Sequence, residues 1–187
     1  MSPRRTLDPT LDVVFKMPLT RTPQSHELLV ALLTAVIRPP TPFAKVVVRN
    51  PELPPIDVIE RGVVLDLHAQ LEDGTLLDIE MQSDKRPAFR ERALFYWARL
   101  YGSELERGDD YRALRPVIAV LFLDYGELRG ARLHSTFEVL EVHDHERFSN
   151  ALAVHVIELP KIPQATAQER RDEADLIRWS RFFAAKT

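Results

Sequence analysis

The chain has 187 residues, 45% of them hydrophobic and 28% charged, with a net charge of −3 and no cysteine. That length suits one domain with a sizeable core, and no apolar run approaches the roughly 20 residues that span a bilayer. The missing cysteines exclude disulfides, thiolate zinc sites and a cysteine nucleophile, so any metal is expected on oxygen ligands. The slight acidity gives no global attraction to nucleic acid and leaves such binding to local basic clusters. Met1 to Thr10 is polar, carries Asp8 and does not resemble a signal peptide, which makes a cytoplasmic location the expectation.

Along the chain, Pro3, Pro9, Pro18 and Pro23 leave room for a helical turn or two around Leu11 to Met17. Apolar residues at 28, 29, 32, 33, 36 and 37 predict an amphipathic helix over Gln24 to Ile37, with Ser25 as N-cap and Pro39 and Pro40 as the stop. Lys45 to Arg49 is β-branched and reads as a short strand, followed by a proline-rich surface connection from Pro51 to Ile56. Val63 to Gln82 reads as a β-hairpin. Phe89, Ala93, Trp97, Leu100, Tyr101 and Leu105 recur at helical spacing and predict a long helix over Ala88 to Arg107, capped by Gly108.

The unbroken apolar run Pro116 to Leu123 predicts a central strand buried on both faces. Arg132 to Val142 and Ala151 to Leu159 suggest two more strands, joined by a polar loop from His143 to Asn150. From Ala165 a charged, helix-patterned tail leads to Trp179, Phe182 and Phe183. There is no internal repeat, and the order of elements predicts an α/β sandwich around a mixed sheet.

The hairpin turns at Glu72-Asp73-Gly74, and its closure decides which side chains share a face. A two-residue Asp73-Gly74 turn pairs Leu67 with Glu80 and mixes charge among leucines. A three-residue loop with Gly74 in the left-handed position pairs Asp66 with Glu80. It puts Leu65, Leu67, Ala69, Leu71, Leu77, Ile79 and Met81 on one face and Asp66, His68, Gln70, Leu76, Asp78, Glu80 and Gln82 on the other. The cleaner separation selects the three-residue loop. Opposed carboxylates roughly 4.5 to 5.5 Å apart at Cβ repel unless a proton or cation lies between them, and a divalent metal is the simplest remedy. The same face also reads as the ordinary solvent side of a hairpin.

An Asp on one strand, Glu-x-Gln on the next, then a long helix and a buried strand resembles the PD-(D/E)XK nuclease superfamily, and within it the Rpn family of recombination-promoting nucleases and transposases. The likeness runs from Asp12-Val-Val-Phe15-Lys16 through Leu65-Asp66 and Asp78-Ile-Glu80-Met-Gln82 into Arg92 to Tyr101. It continues at Gly108-Asp-Asp-Tyr111 and Leu114-Arg-Pro116 and resumes at Glu158-Leu-Pro-Lys161. It implies a restriction-endonuclease-like αβββαβ core, a mixed sheet flanked by helices, over residues 1–163, with a helical tail at 164–187 that is short for the family. It implies Asp66, Glu80 and Gln82 as catalytic residues, with the metal on Asp66, Glu80 and the Met81 backbone carbonyl. The implied cofactor is Mg²⁺, with Mn²⁺ or Ca²⁺ as alternatives. DNA is the implied partner, with no membrane role, and a homodimer is compatible with it.

Gln82 stands where the broader superfamily has a lysine, and a neutral amide can hydrogen-bond but brings no charge. Lys16 and Arg92 are candidates for the missing cation, with Asp12 and Tyr96 as further accessory positions. Arg92, Tyr96, Arg99 and Ser103 form a polar stripe that could face the hairpin, a phosphate backbone or solvent. The resemblance implies a metal-dependent DNA endonuclease linked to recombination, mobile elements or defence. The neutral Gln82 keeps open a catalytically weak DNA-binding or protein-interaction module that retains the fold. An RNase H-like transposase core would need a further carboxylate beyond the long helix, where no convincing candidate stands. His143 and His145 have the spacing of a metal pair but no evident third ligand, and no phosphate loop, Gly-x-Ser-x-Gly or His-Glu-x-x-His motif occurs.

Overall fold

In the computed structural model, which describes residues 15, 18–49, 67–163 and 173–185, the chain runs through α1 (Ser25–Ile37), β1 (Val46–Arg49), β2 (Leu67–Leu71), β3 (Leu76–Gln82), α2 (Phe89–Gly102), β4 (Val117–Leu123), β5 (His134–Leu140), β6 (Arg147–Glu158) and α3 (Ala174–Ala184). The strands form one mixed sheet in the order β1-β2-β3-β4-β6-β5. β1, β2 and β3 pair antiparallel, β3, β4 and β6 run parallel, and β5 returns antiparallel along β6. This is the expected α/β architecture with a mixed sheet flanked by helices.

The two faces of the sheet follow from side-chain alternation. Leu77, Ile79 and Met81 of β3, Val120 and Phe122 of β4 and Ile157 of β6 meet Leu29, Leu32, Leu33 and Val36 of α1 and Leu176, Ile177 and Phe183 of α3. Phe15, Phe122 and Phe183 interlock there at ring separations of 5.0 to 6.0 Å. On the other face, Ala119, Leu121, Leu123, Val154 and Val156 pack with Phe89, and Leu76 and Val117 with Leu100, so α2 covers that side. β4 is therefore buried on both faces, as its continuous apolar sequence predicts.

Several boundaries differ from expectation. Gln24, not Ser25, holds the N-cap position of α1. The Ser25 hydroxyl instead donates to the Pro18 carbonyl at 3.0 Å and accepts from the Thr22 amide at 2.8 Å, tying the helix to the segment before it. The long helix α2 stops at Gly102 rather than Arg107, because Ser103 caps it by returning both its amide and its hydroxyl to the carbonyl of Leu100. Gly108 uses its left-handed φ of 104° in the turn that follows, not as the helix cap. β6 begins at Arg147, inside the expected loop. The Arg147 guanidinium bridges to Glu138 at 2.7 Å, and the Glu141 carboxylate collects the amides of His143 and Asp144 at 2.6 and 2.5 Å to close a tight turn. Among the described residues no helix is long and apolar enough to cross a membrane.

Candidate active site

The hairpin closes as the three-residue loop. Leu67 pairs with Ile79, His68 with Asp78 and Ala69 with Leu77, and the Leu71 amide meets the Thr75 carbonyl at 2.9 Å. Gly74 has a φ of 91°, where a side chain is strained, and its amide donates to the Leu71 carbonyl at 3.1 Å. Asp73 completes the turn by accepting the Thr75 amide at 2.9 Å. His68, Gln70, Leu76, Asp78, Glu80 and Gln82 consequently share the face opposite Leu77, Ile79 and Met81.

That face is neither a solvent surface nor a sheet edge. β1 and β4 flank the hairpin, and His68, Asp78 and Glu80 are all buried, Glu80 to 8% exposure. α2 packs on this side of the sheet: Leu100 locks onto Leu76 and Val117, and the Trp97 indole donates to the Val117 carbonyl at 3.2 Å.

Register across the parallel strands places Gln82 beside Leu123, and Leu123 beside Glu158. The carboxyl ends of β3, β4 and β6 are thus level, the position where parallel sheets commonly present ligand-binding groups. The Gln82 amide nitrogen donates to a Glu80 carboxylate oxygen at 2.9 Å, and the Tyr125 hydroxyl donates to the Gln82 carbonyl oxygen at 3.0 Å. Burial pushes the Glu80 carboxyl above its ordinary range, opposed by the Gln82 hydrogen bond and the Arg92 charge. Burial likewise raises Tyr125, with the Glu127 charge adding to it, so this hydroxyl keeps its proton and stays a donor.

Arg92 reaches this cluster from the first turns of α2, where its charge acts on both Glu80 and Tyr125. Its Nη1 is buried without a hydrogen bond among the described residues. Tyr96, one turn on, is buried on the same helix. The rest of the stripe goes elsewhere: the Arg99 guanidinium lies 5.8 Å from the Phe95 ring centre, and Ser103 is the helix cap. Met81 turns its side chain into the opposite core. Asp12, Lys16 and Asp66 lie outside the described residues.

Tyr125 belongs to this cluster, and His68 and Asp78 lie farther along the same hairpin face, although the sequence offered no role for them. His68 and Asp78 oppose each other across the hairpin, with Nε2 and Oδ1 3.9 Å apart. Alternation in the hairpin placed them on the right face, but Tyr125 follows β4 and its approach to Gln82 spans 43 residues. His143 and His145 are exposed at the β5–β6 turn, remote from the cluster in the fold. Among the described residues no group of three or more His, Asp or Glu side chains is arranged to hold a metal ion. A buried carboxylate whose ionisation is penalised by its surroundings, with Asp78 next to it on the same strand face, still fits a hard cation on oxygen ligands, because the cation would restore the favoured charge.

No curated protein and no solved structure matches the chain. The family model described as PD-(D/E)XK nuclease family transposase matches residues 9–187, from ahead of the first described helix through α3, and the chain belongs to that family of nuclease-type proteins.

Proposed function

We propose that the protein is a divalent-metal-dependent endonuclease that hydrolyses phosphodiester bonds in DNA, in the service of recombination or mobile-element chemistry. The observation that carries this reading is the buried Glu80 carboxylate, bonded by Gln82 and faced by Arg92, at the carboxyl end of β3 in a chain of this family. Asp66 is the second ligand: it immediately precedes Leu67, whose partner Ile79 immediately precedes Glu80. The Met81 carbonyl is the third. Mg²⁺ bound there would lower the pKa of a coordinated water and offset charge on the scissile phosphate.

The remaining roles fall to the protein. Burial works against an ionised Glu80, the Gln82 amide and the Arg92 charge work for it, and a bound cation would favour the carboxylate, beside which Gln82 presents hydrogen-bonding capacity. Arg92 brings the fixed positive charge that a lysine at position 82 would otherwise carry, aimed at charge developing on phosphate. Lys16, Asp12 and Tyr96 are accessory candidates on the strength of the family likeness.

Plasmid cleavage with Mg²⁺, Mn²⁺ or Ca²⁺, comparing the wild type with Asp66→Ala and Glu80→Ala, tests the assignment. Metal-dependent nicking by the wild type alone is expected, and equal nicking by all three proteins would remove the site. The neutral Gln82 favours one other reading, a DNA-binding module that cleaves weakly. Metal-independent DNA binding without cleavage would select it.

A further inference from the structure

We propose that Tyr125 is a positioning residue that fixes the orientation of the Gln82 amide, and that the buried Glu158–Lys161 pair is the latch holding Tyr125 in place. The inference rests on the nuclease reading for its catalytic consequence, while the positioning itself rests on hydrogen-bond chemistry alone.

A glutamine amide can be turned over with little change in shape, exchanging its donor and acceptor ends. Beside an ionised Glu80 only the NH₂ end is productive, because a carboxylate only accepts. Glu80 holds only that one end, and the far end of the amide can still swing. The Tyr125 hydroxyl anchors the far end. It donates to the Gln82 oxygen at 3.0 Å, which leaves the NH₂ end facing Glu80 at 2.9 Å. A lysine would carry its charge in any orientation, whereas a glutamine needs a partner of this kind.

The loop bearing Tyr125 is held with unusual completeness. One oxygen of Glu158, a side chain with no exposed surface, accepts the amides of Glu127 and Leu128 at 2.6 and 3.0 Å. The Lys161 ammonium neutralises the other oxygen and also donates to the Leu128 carbonyl at 2.6 Å. At the start of the loop, the Asp124 amide donates to the Gln82 backbone carbonyl at 3.0 Å. Glu158-Leu-Pro-Lys161 thus spans the turn through a 3₁₀ step, and Glu158 sits in the same cross-strand row as Gln82. A carboxylate buried at this depth would be costly unless paired and hydrogen-bonded, and both of its oxygens are engaged on this loop.

Side-chain amide NMR of Gln82 and DNA cleavage together test the proposal. In the wild type the Gln82 NH₂ protons should exchange slowly with solvent and resonate apart. Tyr125→Phe, which deletes only the hydroxyl, should collapse that protection and lower kcat for Mg²⁺-dependent cleavage by about a hundredfold with KM for DNA little changed, the scale expected of a misplaced group. Lys161→Met should move the amide signal in the same direction from a position outside the cluster. In a Gln82→Lys background the Tyr125→Phe loss should shrink towards unity, since an ammonium has no amide to flip. Unchanged amide protection in Tyr125→Phe overturns the proposal, as does an equal loss of cleavage in both backgrounds. A wild type that cleaves nothing with any metal defeats the nuclease reading instead, and is recognisable because the amide signal still responds to Tyr125→Phe.

Discussion

The Gln82 side chain bridges Glu80, 2.9 Å from its nitrogen, and Tyr125, 3.0 Å from its oxygen, so a carboxylate on β3 is connected to a tyrosine beyond β4 through one neutral amide. The bridge orders the cluster but adds no charge, and the charge comes from Arg92 on the covering helix.

Arg92→Ala should therefore lower metal-dependent cleavage by about 10²–10³-fold, the range for removing a preorganised electrostatic partner from a dry site. Arg99→Ala, whose guanidinium stacks over Phe95, should have a much smaller effect. Comparing kcat for the two variants checks the division of the stripe.

Glu80→Gln should abolish cleavage and flatten the pH dependence of stability. Burial raises the Glu80 pKa in the folded state above its unfolded value of 4.5. The folded state therefore holds the proton more tightly, and the stability this contributes is full below the unfolded pKa and lost as pH rises through the folded one. Urea unfolding in metal-free buffer should show the wild type losing more stability than Glu80→Gln over that rise. Added Mg²⁺ should raise Tm for the wild type and leave Glu80→Gln unmoved.

The opposite sign applies on the other face of the sheet. His134 Nε2 and His155 Nδ1 lie 2.9 Å apart, and burial, followed by Arg38 for His134 and by the His134 charge for His155, lowers both pKa values to about 4. The unfolded chain binds protons first, near 6.5, so stability present above that pH should fall as pH drops through about 4. His155→Gln should weaken the dependence, read as Tm against pH between 7 and 4.

Gly74→Ala should destabilise the hairpin by about 1–2 kcal/mol, the penalty for an L-residue in a left-handed conformation. The new Cβ would also meet the Arg115 side chain at 3.2 Å, a contact that this flexible chain can relieve. A fall in the urea midpoint without a change in m would confirm a local effect.

Phe183→Ala should cost about 3–5 kcal/mol, as expected for a large ring removed from a packed core. The ring has no exposed surface and packs against both Phe15 and Phe122. A loss of that size in urea unfolding would show that α3 stabilises the sheet.

Local rules carry a long way in this chain. Alternation from Leu67 to Met81, together with Gly74, was sufficient to select the hairpin register, because a slip of one residue would have driven charge into leucines. The unbroken run from Val117 to Leu123 marked a strand covered on both sides, and the apolar spacing of α1 and α2 marked helices. What adjacent residues do not encode is how far a helix lies over a sheet or which strand ends come level. Only the tertiary structure turned the polar face of the hairpin into a buried one, with Leu100 of α2 packed on its Leu76. Only the parallel register of β3, β4 and β6 brought Gln82, Tyr125 and Glu158 to one end of the sheet, since their meeting depends on strands paired across long separations in sequence.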